Sequence, residues 1–143
     1  MNKTIVVGVD GSEDSEKALD VGIEIAQRYK SMLVILTVYV NDPFTTYMYS
    51  SPPPPPSEAA KALNEMLKKY EAMATDKGLK VTSKIISTYG QAGIGLVKES
   101  EDLGCGLLIV GTRGLTGVKR ILLGSVAEYV VKNAHCDVHI VRR

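Results

Sequence analysis

Two apolar runs near the amino end limit this chain more than any other feature. The first is KTIVVGV, Lys3 to Val9, which ends against Asp10. The second is MLVILTVYV, within Ser31 to Val40. Neither alternates with polar residues. A strand with one wet face alternates, so these two read as strands covered on both faces. The stretch between them, from about Asp14 to Tyr29, has helical spacing. Ala18, Leu19, Gly22, Ile25, Ala26 and Tyr29 share its inward face, and Glu24 and Arg28 form an i,i+4 pair on its outer face. Strand, helix and strand in this order predict a parallel pair with a crossover helix.

The same alternation continues. Glu58 to Lys77 is a helix whose stripe is Ala59, Leu63, Met66, Leu67, Tyr70, Met73 and Ala74, with Gly78 as its stop. Lys80 to Thr88 is a third strand. Val81 and Ile85 alternate there with Thr82 and Lys84, as on a sheet edge. Gln91 to Leu103 is a helix weakened by Gly93 and Gly95. Gly106 to Val110, Ser125 to Ala134 and Asp137 to Val141 then read as strand, helix and strand. The expected fold is a single α/β domain over residues 1–143, with helices on both faces of a parallel sheet. Asn41 to Ser57 breaks the rhythm. The run Pro52 to Pro56 favours polyproline II and reads as a stiff connector, while Tyr47 and Tyr49 leave open a lid or a partner-docking segment.

Composition narrows the function classes. The chain has 143 residues, enough for one good core, and a formal net charge of +1. That charge gives no case for nucleic-acid or membrane attraction. No apolar run reaches membrane-span length and no secretory h-region opens the chain, so a cytoplasmic location is expected. Cys105 and Cys136 are not in a C-x-x-C pattern and read as two buried free thiols on separate elements. No Cys/His cluster has zinc spacing.

The chemistry concentrates in GTRGLTGVKRILLGS, Gly111 to Ser125. It lies between a buried strand and a helix. Glycines let backbone N–H groups approach a ligand, and a helix start adds free donors and partial positive charge. Arg113, Lys119 and Arg120 complete a stretch suited to phosphate. Ser125 and Glu128 also fit a capping box, which would occupy the N–H groups of those two residues and leave Val126 and Ala127 free.

The full pattern, G-x2-G-x9-G-S with ILLGS before a helix, resembles the nucleotide loop of the universal stress protein family. Gly111, Gly114, Gly124 and Ser125 match its four fixed positions. The resemblance runs from TIVVGVDGSEDSEKAL at the front to VHIVRR at the end. It implies an adenine nucleotide alpha hydrolase-like, Rossmann-like three-layer sandwich with strand order 3-2-1-4-5. It implies a site for ATP, or ADP or AMP, at the carboxyl ends of the first and fourth strands. Asp10 would contact the nucleotide, and could meet Mg²⁺ carried on the phosphates. Backbone at Tyr39, with Val38 and Val40 beside it, would take the adenine. Arg113 and the helix start at Val126 would join the phosphate loop. A homodimer through the last strand is implied as well. The chain departs from the family's pattern at Gly106, where relatives often carry Asp, and at Asp137, where Pro is usual.

These expectations describe an ATP-binding stress-response regulator. Hydrolysis is left open, because the chain lacks a G-x4-G-K-[ST] pattern. Slow ATPase activity or self-phosphorylation would be compatible. Two alternatives remain: an interaction module of the same fold that uses no nucleotide, and an AMP-forming ATP pyrophosphatase-like enzyme suggested by DGSEDS. The second has Asp10 and Ser12 where its motif needs Ser and Gly. A phosphorelay receiver is excluded, because Asp10 has no acidic neighbour before Glu13 and the third strand ends Ser87-Thr88-Tyr89.

Overall fold

A computed structural model describes residues 4–112 and 123–142. The strands are β1 (Ile5–Gly8), β2 (Leu33–Val40), β3 (Val81–Thr88), β4 (Leu107–Gly111) and β5 (Asp137–Val141). The α-helices are α1 (Glu13–Tyr29), α2 (Ser57–Thr75), α3 (Ala92–Asp102) and α4 (Ser125–Asn133). The sheet has the order β3-β2-β1-β4-β5, and every pairing is parallel. The fold class and strand order expected from the sequence are therefore both present.

The burial of the strands explains their composition. Ile5, Val6 and Val7 are fully buried, as are Leu33, Ile35 and Leu36. Odd-numbered residues of β1 and β2 enter a core with α1 and α2, which includes Leu19, Ala26, Leu67 and Tyr70. Even-numbered ones enter a second core with α3 and α4, which includes Leu96, Val97, Ala127 and Val130. A strand inside two cores favours apolar residues, each buried aliphatic side chain contributing roughly 1.5–3 kcal/mol; Thr37 of β2 is the buried polar exception.

Several boundaries and faces differ from expectation. Tyr29, placed on the inward face of α1, is half exposed, whereas Ile23 is buried there. The helix has already turned Tyr29 outward, and Lys30 at φ 52 then ends it. The α3 helix forms despite its glycines. Gly93 is buried, and a Cβ there would come 2.8 Å from the Tyr129 Cβ. The missing side chain lets α3 lie close against α4, and that packing outweighs the poor helix propensity of glycine. The two cysteines are free, but they are not separate. Their sulfurs are 3.5 Å apart, and Cys136 is only partly buried.

The 41–57 segment is more structured than a plain connector. A short 3-10 helix, Pro43–Tyr47, is started by Asp42, whose Oδ1 accepts the Phe44 N–H at 2.9 Å. Asn41 Nδ2 donates to the carbonyls of Pro53 and Thr88, and the Tyr89 hydroxyl faces the carbonyls of Thr45, Tyr49 and Ser51 at 3.1–3.4 Å. Phe44, Tyr47 and Met48 are nevertheless three-quarters exposed or more. Among the described residues, no helix is long and apolar enough to cross a membrane.

Candidate functional site

The strand order puts a topological switch point between β1 and β4. From β1 the chain winds outward to β2 and β3; β4 and β5 lie on the other side. After β1 the chain enters α1 on one face of the sheet, and α4, which follows β4 in sequence, packs on the other face; at such a switch point a crevice is expected at the carboxyl ends of the two strands.

The turn after β1 is closed by its own residues. Asp10 Oδ1 accepts the Ser12 N–H at 2.9 Å, and the Asp10 N–H donates to Ser15 Oγ at 3.2 Å. Ser12 is the N-cap of α1: its Oγ accepts the Ser15 N–H at 3.1 Å, and its carbonyl accepts the Ser15 hydroxyl at 3.0 Å. Glu13, Asp14 and Glu16 fill the first turn, where carboxylates suit the helix dipole. Asp10 thus has a turn-forming role and is still exposed. Nearby, the Tyr70 hydroxyl donates to Glu16 Oε2 at 2.8 Å. Burial raises the pKa of that phenol, the Glu16 carboxylate raises it further, and the charge of Asp10 adds to the effect. This side of the crevice is therefore acidic.

The end of β4 is stitched to α1. A Cβ on Gly111 would lie 2.9 Å from the main-chain carbon and oxygen of Asp14. Only glycine allows β4 and α1 to come so close here. Thr112 Oγ1 then donates to Asp14 Oδ2 at 3.2 Å, and both residues are buried. The Thr112 N–H donates to the Val141 carbonyl at 3.0 Å, and the Thr112 carbonyl accepts the Gly124 N–H at 2.6 Å. One threonine thus joins α1, β5 and the start of α4.

The start of α4 differs from the sequence reading. Its N-cap is Gly124, and Ser125 is its first helical residue, so the S-x-x-E capping box does not form. Glu128 instead pairs with Lys132 at 2.9 Å, and that ammonium lowers the Glu128 pKa. The i,i+4 lysine offers the carboxylate a partner in reach of its extended side chain, whereas the box requires serine one position earlier. Among the described residues no side chain caps α4. The first-turn N–H groups of Ser125, Val126 and Ala127 have no acceptor within the helix.

On the other flank, β2 outruns β1. The β1–β2 register ends at Gly8↔Leu36, and the Val9 N–H donates to the Leu36 carbonyl at 2.8 Å. The β2–β3 register continues to Val40↔Thr88. Backbone groups in a strand alternate between its two neighbours. Leu33 and Asn41 N–H groups bond toward β3, and the Met32 and Leu36 carbonyls bond toward β1. By that alternation the main-chain groups of Tyr39 face β3, and those of Val38 and Val40 face the crevice beyond the end of β1. The Tyr39 ring is half buried.

Hydrogen bonds join the Asp10 turn to α1, α1 to Thr112 and Thr112 to Gly124; Gly111 precedes Thr112 at the end of β4, and Ser125 and Val126 lie in the first turn of α4. Arg113 and Gly114, with Lys119 and Arg120, lie outside the described residues. Sequence reasoning missed Asp14 and Thr112, the pair that binds the two loops together. Each lies inside a motif already noticed, DGSEDS and GTRG, and a polar residue in such a motif was the available signal. Among the described residues no group of three or more His, Cys, Asp or Glu side chains could hold a metal ion.

Residues 1–142 match the universal stress protein family. A universal stress protein of Methanocaldococcus jannaschii is 36% identical over 99% of this chain and 82% of its own length. Among solved structures, a protein whose biochemical function was assigned from its structure aligns with a TM-score of 0.81, at 27% identity, over 100% of this chain and 97% of the other. A universal stress protein in complex with cAMP aligns with a TM-score of 0.69, at 28% identity, over 97% of this chain and 95% of the other.

Proposed function

The chain belongs to the universal stress protein family, and from that membership we propose that it binds an adenine nucleotide, ATP first among them, in the crevice between β1 and β4. The observation that carries this reading is the start of α4. Among the described residues it has no side-chain cap, it is tied to the end of β4 through Gly124 and Thr112, and it lies across the switch point from Asp10. An uncapped helix start with glycine at its cap suits a phosphate, which would take the N–H groups of Ser125, Val126 and Ala127. Gly111, Arg113 and Gly114 belong to the same loop in the family pattern. The main-chain groups of Val38 and Val40, beside Tyr39, suit the hydrogen-bonding edge of adenine. The relative solved with cAMP supports an adenine ligand for this fold.

Mg²⁺ fits the charges beside the end of β1. Asp10 and Glu16 make one flank acidic, and a polyphosphate beside them is repelled unless a divalent cation lies between. Asp10 is the carboxylate we assign to that contact or to the ribose hydroxyls. With no phosphate-reaching P-loop lysine in its sequence, the chain acts as a nucleotide-dependent regulator of a stress response, with occupancy as its signal. The test is calorimetric titration of ATP, with Mg²⁺, into the Gly124→Val protein. Gly124 has φ -66, which valine also adopts, so the fold is retained while the branched side chain fills the cradle. Binding should be lost; unchanged affinity in a folded variant refutes the site.

The second part of the proposal is a homodimer. The β5 strand is a sheet edge, and its free N–H and C=O groups suit antiparallel pairing with a second copy about a two-fold axis. Val138 and Ile140 pack against the α3–α4 core, and His139 is exposed on the opposite face. Ile140→Pro removes one pairing N–H. Light scattering should give a dimer for the parent chain and a monomer for the variant; a monomeric parent at high concentration excludes the dimer.

A further inference from the structure

We infer that Cys105 and Cys136 form a thiol-oxidation site, which hydroperoxides convert to an intramolecular disulfide at the end of the sheet opposite the crevice. Cys105 lies in the turn from α3 into β4, and Cys136 in the turn from α4 into β5. The two strands are parallel neighbours with Leu107 opposite Asp137, so their preceding turns lie side by side. The sulfurs are already 3.5 Å apart. A disulfide needs them to close to about 2.05 Å, a step of about 1.5 Å for which side-chain rotation is the first means available. The backbone on the Cys105 side is firmly placed: its N–H donates to the Ser100 carbonyl at 3.0 Å, and the Gly106 N–H donates to the Thr4 carbonyl at 2.9 Å.

The two thiols differ in environment, and the difference orders the chemistry. Cys136 is partly exposed, and Cys105 is buried among Val6, Val97 and Ala134. Burial, and then the neighbouring Cys136, push the Cys105 thiol up to about 12. Peroxide therefore meets the Cys136 sulfur first. The Cys136 thiolate attacks one peroxide oxygen, the O–O bond breaks, and hydroxide leaves with its electron pair, giving a sulfenic acid. The Cys105 sulfur then attacks the Cys136 sulfur. The S–O bond breaks, the oxygen leaves as water after taking up a proton, and the Cys105 proton passes to solvent. Overall two thiols and one hydrogen peroxide give one disulfide and two waters.

The ring so closed contains β4, the whole Gly111 to Ser125 stretch and α4. Oxidation would tether both ends of the segment that carries the crevice's glycines. The disulfide itself does not depend on the nucleotide reading.

The experiment treats the reduced full-length protein with a few equivalents of hydrogen peroxide and measures intact mass, peptide connectivity and melting temperature. The expected product is a single chain lighter by about 2 Da, with the Cys105 and Cys136 peptides linked to each other and the change reversed by dithiothreitol. Its melting temperature should rise by roughly 5–10 °C, as a ring of this length restricts the unfolded chain. Cys136→Ala should show neither change, and the parent's mass and peptide map give the answer even if that variant folds poorly. A gain of about 32 Da on Cys136 with Cys105 still free, a disulfide between two molecules, or two thiols intact after prolonged exposure would each overturn the inference.

Discussion

The starts of α1 and α4 face the same crevice and are finished differently. At α1, Ser12 caps the helix, Asp10 and Ser15 close the turn, and three carboxylates meet the dipole. At α4 the cap is Gly124, with no side-chain acceptor. The α3 helix also lacks a side-chain cap, but it starts after β3, at the sheet's edge. Of the two helix starts at the switch point, one takes a side-chain cap from its own sequence and the other, among the described residues, takes none. The capping side therefore contributes stability, and the uncapped side is where an anion gains most.

That contrast can be broken at its seam. Gly111→Ala drives a Cβ to within 2.9 Å of the Asp14 main chain. Neither backbone can yield without disturbing β4 or α1, so urea denaturation should show a loss of about 2–3 kcal/mol. A loss under half of that would mean the two elements are not tightly stitched. Next in size is Gly124→Asp, which gives α4 the cap that α1 already has. Stability should rise by about 0.5–1 kcal/mol, while the carboxylate occupies the N–H groups and repels phosphate. ATP affinity should fall by more than about 100-fold. Stability and affinity rising together would end the comparison.

Asp10→Ala tests the acidic flank. Loss of a charged hydrogen bond should weaken ATP binding by about 1–3 kcal/mol with Mg²⁺ present. Equal affinities for parent and variant would leave Asp10 with its turn role alone. The smallest effect belongs to Ser12→Ala. Removing the α1 cap should lower stability by about 1 kcal/mol and leave ATP affinity unchanged within about twofold. A large affinity loss would show that the α1 start also serves the ligand.

The parts of the molecule legible from sequence were those with a period or a composition of their own. The unbroken apolar runs of β1 and β2 announced strands covered on both faces, and the stripe containing Leu67, Tyr70 and Ala74 announced α2. Strand order came from family resemblance, since periodicity carries no information on which strands are neighbours. For the candidate site, the sequence singled out Asp10, Gly111, Gly124 and Ser125 by motif. It missed the Asp14–Thr112 bond because the partners are 98 residues apart, and a polar residue inside a motif does not name its distant partner. The α4 cap was misread for a local reason: serine with glutamate three residues on fits a capping box, but Glu128 found Lys132 instead. The alternation that turns Tyr39 toward β3 and Val38 toward the crevice depends on register, which a single strand's sequence does not encode.

The place of β1 at the middle of the sheet has a consequence for synthesis. Ile5 pairs with Leu33 on one side and with Leu107 on the other. A growing chain emerging from the ribosome can form the first pairing early, once β2 has appeared. The second must wait until most of the protein has been made. During that interval one edge of β1 is open, and its side chains are the fully apolar ones of the finished core. Such an edge is a ready template for wrong partners, and the loop to be closed is long. The nascent chain thus has a window, set by translation rate, in which its most central strand is its most vulnerable one.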